Sequence, residues 1–226
     1  MNADKASGNS RLVLVRHGET AGNSSIRYYG RTDVPLSDLG RRQMLAVRSV
    51  LTRSLEHGPD AARFDPTLAS PLSRACEGAI IIAGAAPILI GEFAEIDFGA
   101  FEGLTADEIQ QRYPRDYAHW IRQRLDPGYA YPKGESRAAF TDRVERGIVR
   151  MLALINEAHG DSGGNAIVVA HRGVIRAITK RLANVTPVIE LASIHSLIRG
   201  SWQTPWHPEF LDATRHLMDI EQSRSQ

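Results

Sequence analysis

Short runs of consecutive apolar residues alternate along the chain with longer stretches in which apolar residues recur every three or four positions. The short runs are typical of buried strands and the longer stretches of amphipathic helices. Strands are predicted over 12–15, 64–69, 87–90 and 166–170, with a last strand or edge segment within 188–198. Helices are predicted over 38–56, after Ser70-Pro71, between Thr105 and Pro114, and over 136–158 and 174–182. This alternation predicts an α/β fold, a three-layer α/β/α sandwich with a mostly parallel central sheet.

Local signals fix several boundaries of these elements. Ser37 is a helix N-cap candidate, and Gly58-Pro59 is expected to end the helix that follows it. Pro71 is expected in the first turn of the helix that carries Arg74, since proline is tolerated there. Thr105 and Glu108 have the spacing of a capping box. The glycines and acids of 92–103 predict a loop.

No linker rich in glycine, serine and proline divides the chain, so we expect one domain over 11–202. Within it, 104–135 reads as an insertion over the sheet edge, rich in tyrosine and containing Trp120. Its aromatic rings either contact an apolar leaving group or simply pack the insertion onto the body. Residues 1–10 are expected to form a disordered lead, and 203–226 a polar tail with a weak helical pattern.

Composition excludes several classes of protein. The 226 residues are 42% hydrophobic with a net charge of +1, which is ordinary for a globular domain and provides no general field for nucleic acid or a membrane. No apolar run approaches the ~18 residues of a membrane span. The single cysteine, Cys76, reads as a packed side chain, and with no signal-peptide pattern at the N-terminus it predicts a cytoplasmic protein.

Arginine is far more abundant than lysine. Of the 27 lysines and arginines three are lysines, which leaves 24 arginines. The planar guanidinium suits phosphate, although codon bias is the favoured explanation of the excess as a whole. Affinity for an anion must therefore come from a local cluster. No glycine-rich nucleotide-binding motif is present.

Two predicted strands run directly into a histidine beside an arginine. Val15 is followed by Arg16-His17-Gly18, and Ala170 by His171-Arg172-Gly173. In open α/β sheets ligands bind at the carboxyl edge of the strands, where backbone N–H groups meet an anion. The two junctions can share one such edge.

Four motifs in this order are similar to the histidine phosphatase superfamily, which has the phosphoglycerate-mutase-like fold. They are Arg16-His17-Gly18-Glu19-Thr20 with Asn23, Ser70-Pro71-Leu72-Ser73-Arg74-Ala75, the run from Glu95 to Gly103, and His171 after its strand. The resemblance covers about residues 11–182. It implies a metal-independent phosphomonoesterase of the phosphatase branch, acting on a small phosphorylated metabolite.

Phosphoryl transfer needs a nucleophile, cations around the non-bridging oxygens and an acid for the leaving group. The resemblance assigns His17 as the nucleophile, with one ring nitrogen held by a backbone carbonyl. It assigns Glu95 as the acid that then activates water. The phosphoryl oxygens would be surrounded by Arg16, Arg74, Asn23 and a protonated His171. Substrate contacts are expected from Thr20, Arg27, Tyr28 and Tyr29.

Three alternatives stay open at this point. A metal hydrolase with His17, His171 and Glu95 as ligands is disfavoured by the arginines beside both histidines. A non-catalytic phospho-ligand-binding module would have lost the nucleophile or the acid. Phosphoglycerate mutase-type transfer is disfavoured because the Glu-Arg-His-Tyr-Gly run of those enzymes is absent around Glu95.

Some residues have two balanced interpretations. Glu19 is either a loop hydrogen-bonder or a minor site residue, and Glu135-Ser136 either contributes near the site or only starts the long helix. The remaining histidines read as structural or surface residues: His57, His119, His159, His195, His207 and His216. We expect no cofactor and no metal, a small phosphorylated substrate as the ligand, no nucleic-acid or membrane partner, and a chain compatible with a homodimer.

Overall fold

A computed structural model describes residues 9–55, 64–201 and 203–217. Its strands are β1 (Ser10–Arg16), β2 (Thr67–Ala69), β3 (Ile88–Leu89), β4 (Asn165–Ala170), β5 (Ile194–Arg199) and β6 (His207–Ala213). Its helices are α1 (Asp38–Leu55), α2 (Ser73–Ala83), α3 (Ala106–Arg112), α4 (Pro114–Gln123), α5 (Arg137–His159) and α6 (Arg172–Ala183). The strands form one sheet in the order β3-β2-β4-β1-β5-β6. The pairs among β1 to β4 are parallel, while β5 and β6 are antiparallel to their neighbours.

The sheet has a hydrophobic core on each face, because successive strand residues point to opposite sides. Leu12 and Leu14 of β1 belong to the core that includes the apolar faces of α5 and α6. Val13 and Val15 belong to the core formed with α1 and α2. Helices therefore cover both faces, and the predicted three-layer sandwich with a mostly parallel sheet is confirmed.

Two of the predicted helix starts are confirmed by their capping bonds. The N–H of Gly40 donates to Ser37 Oγ at 3.1 Å at the start of α1. The N–H of Glu108 donates to Thr105 Oγ1, and the N–H of Thr105 returns a bond to the Glu108 carboxylate, which completes the capping box of α3. The predicted end of α1 at Gly58-Pro59 and the residue His57 lie outside the described residues.

The start of α2 lies later than predicted. Its N-cap is Leu72, so Pro71 precedes the helix and does not sit in its first turn. The physical reason is a contact from a distant loop: Asp33 Oδ1 accepts both the N–H and the hydroxyl of Ser73, at 2.8 and 2.7 Å. That carboxylate satisfies the first exposed donor of the helix, which therefore begins at Ser73.

The insertion over 104–135 contains α3 and α4 and packs onto the body. Trp120, Tyr129 and Tyr131 are buried in the core beside α5. The predicted loop 92–103 is confirmed as a connection, although it includes short 3₁₀ turns at Gly91–Phe93 and Gly99–Phe101.

Both predicted termini need correction. Residues 207–213 form the edge strand β6, so the prediction of a polar tail is wrong there. An edge strand exposed to solvent lacks the alternation of apolar residues by which strands are recognised. Ser10, expected in a disordered lead, is buried and begins β1. Across the described ranges, no helix is long and apolar enough to cross a membrane.

Candidate active site

The parallel register of β1 and β4 brings the two histidines together. Arg16 lies opposite Ala170 at the carboxyl ends of these strands, so His17 and His171 leave the same edge of the sheet. Their rings meet edge-on with centroids 5.1 Å apart. The prediction that the two strand-to-histidine junctions share one edge is confirmed.

One ring nitrogen of His17 is held by the backbone. Nδ1 lies 2.7 Å from the carbonyl oxygen of Gly18, which accepts only if Nδ1 carries the proton. Burial, followed by the positive charges of Arg74 and Arg16, lowers the pKa of His17 well below its usual value. A neutral ring with Nδ1 protonated leaves the lone pair on Nε2, the nitrogen available for attack on phosphorus.

His171 is buried beside Ser70, with its Nε2 2.7 Å from the serine hydroxyl oxygen. Burial, followed by Arg74, His17 and Arg16, also lowers the pKa of His171 well below its usual value. The prediction of a protonated His171 is therefore wrong for the charges that the chain itself supplies. If Ser70 donates its hydroxyl proton to Nε2, the neutral ring still carries a donor at Nδ1. Sequence reasoning did not assign Ser70 a role.

Arg16 and Arg74 supply the positive charge around the histidines. Arg16 donates from Nη1 to the carbonyl of Ile189 at 3.1 Å, and burial together with neighbouring Arg172 lowers its pKa to about 10, so it stays charged at neutral pH. Arg74 is fully buried and is not part of the cavity lining. Burial lowers the pKa of Arg74 as well.

Arg74 and Glu102 together fix the main chain of the loop over 29–32. Arg74 donates to the carbonyls of Tyr29, Gly30 and Thr32, at 3.3, 2.6 and 2.9 Å. From the other side, the Glu102 carboxylate accepts the N–H groups of residues 30, 31 and 32, at 3.0, 3.0 and 3.3 Å. A carboxylate and a guanidinium thus satisfy complementary groups of one short segment.

Glu95 is held over the cavity by two backbone donors. Its Oε2 accepts the N–H of Gly173 in the first turn of α6 at 2.9 Å, and its Oε1 accepts the N–H of Ile96 at 3.0 Å. The side chain is buried but lines the cavity. A Cβ on residue 173 would collide with Glu95 Oε1, so this close approach requires glycine.

An ion pair lies beneath the loop that carries Glu95. Glu135 binds Arg143 through two bonds of 3.0 and 2.8 Å, and both side chains are largely buried. Arg143 also donates to the carbonyls of Glu92 and Ala94, at 2.7 and 2.9 Å, and approaches that of Glu95 at 3.5 Å. Ser136 caps α5 by accepting the N–H of Ala139. Glu135 therefore supports the loop, whereas Ser136 starts the helix.

The first loop after His17 is organised by Glu19. Its Oε1 accepts bonds from the N–H of Thr20, the hydroxyl of Ser24 and the N–H of Ser25, at 2.8, 2.9 and 3.3 Å. Burial alone would raise the pKa of Glu19, but hydrogen bonds from these same three residues together lower it. Its carboxylate lines the cavity with its charge already satisfied by the loop, which favours the structural interpretation.

Four predicted site residues lie outside the cavity lining. Arg74 and His171 are buried next to it, and the other two, Asn23 and Thr20, belong to the loop after His17. Asn23 is exposed, adopts a left-handed backbone with φ of 61°, and accepts the N–H groups of Ile26 and Arg27 through its carbonyl. Thr20 is buried, and its hydroxyl accepts the N–H of Ser24. Both shape the loop, so the prediction that their side chains face a substrate lacks support from the geometry.

The other predicted substrate residues do line the cavity. Arg27 is paired with Glu108 at 2.6 Å. Tyr28 packs edge-on against Phe98 and Trp120, with centroid distances of 5.5 and 5.4 Å. Trp120 thus supports the aromatic wall from behind, and no residue of the 104–135 insertion lines the cavity within the described chain.

The cavity at the sheet edge has a volume of about 490 Å³. It brings together Arg16, His17, Glu95, Tyr28 and Tyr29 with the guanidinium-bearing residue Arg172, which the sequence had not singled out as a site residue. Among the described residues, no three histidine, cysteine, aspartate or glutamate side chains are grouped so that they could hold a metal ion. The geometry suits an anion bound by fixed cationic side chains, with His17 in the cavity lining.

These features define a class of protein. The model of the histidine phosphatase superfamily, branch 1, matches residues 12–195, and the chain belongs to this family.

Three named proteins show the range of the similarity. A bifunctional protein of Mycobacterium tuberculosis is 33% identical over 174 residues, which are 76% of this chain but 43% of that protein. The chain thus spans less than half the length of that relative. Glucosyl-3-phosphoglycerate phosphatase of Mycolicibacterium vanbaalenii is 32% identical over 199 residues, which are 85% of this chain and 82% of that one. The solved structure of alpha-ribazole phosphatase from Shigella flexneri has a TM-score of 0.72 at 26% identity, covering 90% of this chain and 96% of that one.

Proposed function

We propose that the protein is a phosphomonoesterase that hydrolyses a small phosphorylated metabolite through a phosphohistidine on His17. One observation carries the proposal. Arg16 Nε, Arg74 Nε and His171 Nδ1 are buried and have no hydrogen-bond partner within the described residues. Buried polar atoms are normally paired, so three unpaired nitrogens around His17 indicate a place for an anion.

The proposed first step transfers the phosphoryl group to the enzyme. Nε2 of His17 attacks phosphorus and forms the N–P bond, while the bond between phosphorus and the ester oxygen breaks. Protonated Glu95 gives its proton to the departing oxygen. The arginines and His171 stabilise the charge on the non-bridging oxygens, and each such donor contributes on the order of 3 kcal/mol in the transition state.

The second step releases phosphate. Glu95, now a carboxylate, removes a proton from water, whose oxygen attacks phosphorus as the N–P bond breaks. The electron pair returns to Nε2 of His17, and Glu95 is again protonated. The names of the relatives, which include glucosyl-3-phosphoglycerate and alpha-ribazole phosphatases, support a small phosphorylated metabolite as the substrate.

The test is to trap the phosphoenzyme. Acid-labile, alkali-stable label should appear on the wild-type protein during turnover with a phosphomonoester and should be absent from His17→Ala. Because fixed arginines supply the positive charge, turnover should survive exhaustive chelation. Normal turnover by His17→Ala would overturn the mechanism, and activity lost to a chelator and restored by zinc or magnesium would favour a metal hydrolase.

Phosphoglycerate mutase-type transfer shares the first step and differs in the acceptor. Release of inorganic phosphate and transfer to a second alcohol should therefore be measured together, with release dominant. We also propose a cytoplasmic location, supported by the single cysteine, Cys76, which cannot form an intramolecular disulfide. The homodimer stays a prediction.

A further inference from the structure

Three arginines line the cavity, and two of them are already engaged by the protein. Arg27 is bound to the Glu108 carboxylate and the carbonyl of Gly103. Arg16 donates to the carbonyl of Ile189 and belongs to the proposed phosphate site. Arg172, by contrast, is exposed, and its guanidinium has no hydrogen bond or ion pair within the described residues.

The position of Arg172 is defined by its neighbours. It precedes Gly173, whose N–H holds the Glu95 carboxylate at 2.9 Å. Its charge acts on Arg16 at the phosphate end of the cavity and on Tyr28 at the aromatic wall. Arg172 therefore lines the cavity together with both residues, and its chain neighbour Gly173 binds the proposed acid Glu95.

Without a bound anion, the position of Arg172 near Arg16 is electrostatically unfavourable. Two guanidinium groups within electrostatic reach repel each other, and this repulsion contributes to the lowered pKa of Arg16. An anion between or beside them would relieve the repulsion. Because Arg16 is assigned to the transferred phosphoryl group, Arg172 is left for an anion carried by the leaving alcohol.

We propose that Arg172 forms a second anion subsite, which selects phosphomonoesters whose leaving group carries a carboxylate or a second phosphate. The inference rests on the proposed function, because it places the leaving group beside Glu95. The guanidinium fork matches the two oxygens of either anion. Arg172 is thus a specificity-determining residue and takes no part in bond making.

The test compares substrates that differ only in the second anion. 3-Phosphoglycerate and glycerol 3-phosphate have the same length and differ by a carboxylate in place of a hydroxymethyl group. Wild-type kcat/KM should favour 3-phosphoglycerate by about tenfold, the effect of one charge-assisted hydrogen bond. In Arg172→Gln the ratio should fall to about one. Propane-1,3-diol bisphosphate compared with 3-hydroxypropyl phosphate provides the phosphate arm and distinguishes the two anions.

Arg176→Gln is the matched control. Arg176 lies one turn further along α6, is exposed, and does not line the cavity, so the variant removes the same charge from the same helix. Its substrate ratios should equal those of the wild type. A ratio that collapses equally in both variants would reduce the effect to net charge and overturn the subsite.

Two further results would also overturn it. The first is a wild-type kcat/KM ratio near one in both the carboxylate and the phosphate comparison. The second is an equal loss of kcat/KM for all four esters in Arg172→Gln, which would make Arg172 another contact of the transferred phosphate. Binding of the same esters to His17→Ala, measured by calorimetry, separates the subsite from the proposed function. An Arg172-dependent preference in binding without any hydrolysis by the wild type would retain the subsite and refute the phosphatase.

Discussion

The ion pair between Glu135 and Arg143 should govern protonation of the leaving group without touching the substrate. Arg143 holds the carbonyls of residues 92 and 94 and approaches that of 95, while Glu135 holds Arg143. Glu135→Gln preserves the size of the side chain but removes the charge that orients the guanidinium. The loop that carries Glu95 then loses its fixed support.

The size of the effect follows from the burial of the pair. The side chains are 12% and 14% exposed, so the arginine is left with little solvent when its counter-charge is removed. Breaking a fully buried pair costs about 3–5 kcal/mol, and the remaining amide acceptor reduces this to about 2 kcal/mol of unfolding free energy. For a chain of this length that is a fall of about 5 °C in Tm.

The catalytic effect should depend on the leaving group. A displacement of Glu95 by ~1 Å would cost about 10²-fold where the acid is needed. Phosphorylation of His17 by an alkyl phosphate should therefore fall by about 10- to 100-fold, and by an activated aryl phosphate by less than about threefold. Burst kinetics isolates this first step. Glu95→Gln, which removes the acid itself, should show the same selectivity more strongly.

The matched control lies on α5, the helix that carries Arg143. Glu145 of α5 pairs with Arg181 at 3.3 Å, with both side chains exposed, and Glu145→Gln should leave the alkyl-to-aryl ratio unchanged. Equal losses for alkyl and aryl esters in Glu135→Gln, or a lower Tm with unchanged rates, would refute the positioning role. If Glu95→Gln showed no dependence on the leaving group, the assignment of the acid would itself fail.

Two further predictions concern Gly173 and His195. Gly173→Ala places a methyl group against Glu95 and should lower kcat by about 10²-fold, whereas Gly91→Ala, where a Cβ meets open space, should not; equal rates in both variants would exclude the close approach as a requirement. Burial lowers the pKa of His195 to about 4. Below pH ~6.5 the unfolded chain therefore binds a proton at His195 that the folded protein does not bind. Stability should therefore be complete above that pH and fall by about 2 kcal/mol by pH 5, and urea unfolding of His195→Gln should show a smaller loss; an equal loss in both proteins would contradict this account.

The parts of the site that follow strands could be predicted from the sequence. Continuous apolar runs ending in Arg16-His17 and His171 identify β1 and β4, and parallel strands present their ends at one edge. The capping box of Thr105 and Glu108 could also be predicted, because its two partners lie only three residues apart in the sequence. The spacing of residues along the sequence is therefore sufficient to predict the two strand ends and the capping box.

Contacts between distant segments could not be predicted in this way. Arg143 meets the carbonyl of Glu92 across 51 positions, and Asp33 caps α2 from a loop 40 positions earlier. Arg172 was recognised only as a charge beside a histidine, since nothing local shows that its side chain lacks a partner. The edge strand β6 was missed because it is polar and largely exposed and contains Pro208, which edge strands tolerate.

Residues 29–32, of which Tyr29 lines the cavity, are held by Arg74 on one side and Glu102 on the other through main-chain groups. Gly30 is fixed as glycine, because a Cβ there would collide with the carbonyl oxygen of Ile96 and with the Glu102 carboxylate. At position 29, by contrast, Arg74 holds only the main-chain carbonyl, so the hydrogen bonds make no demand on that side chain. Tyr29 presents its side chain to the cavity from this fixed backbone. The position is therefore a natural target for engineering, at which new substrate preferences can be introduced by exchanging one side chain while the loop keeps its conformation.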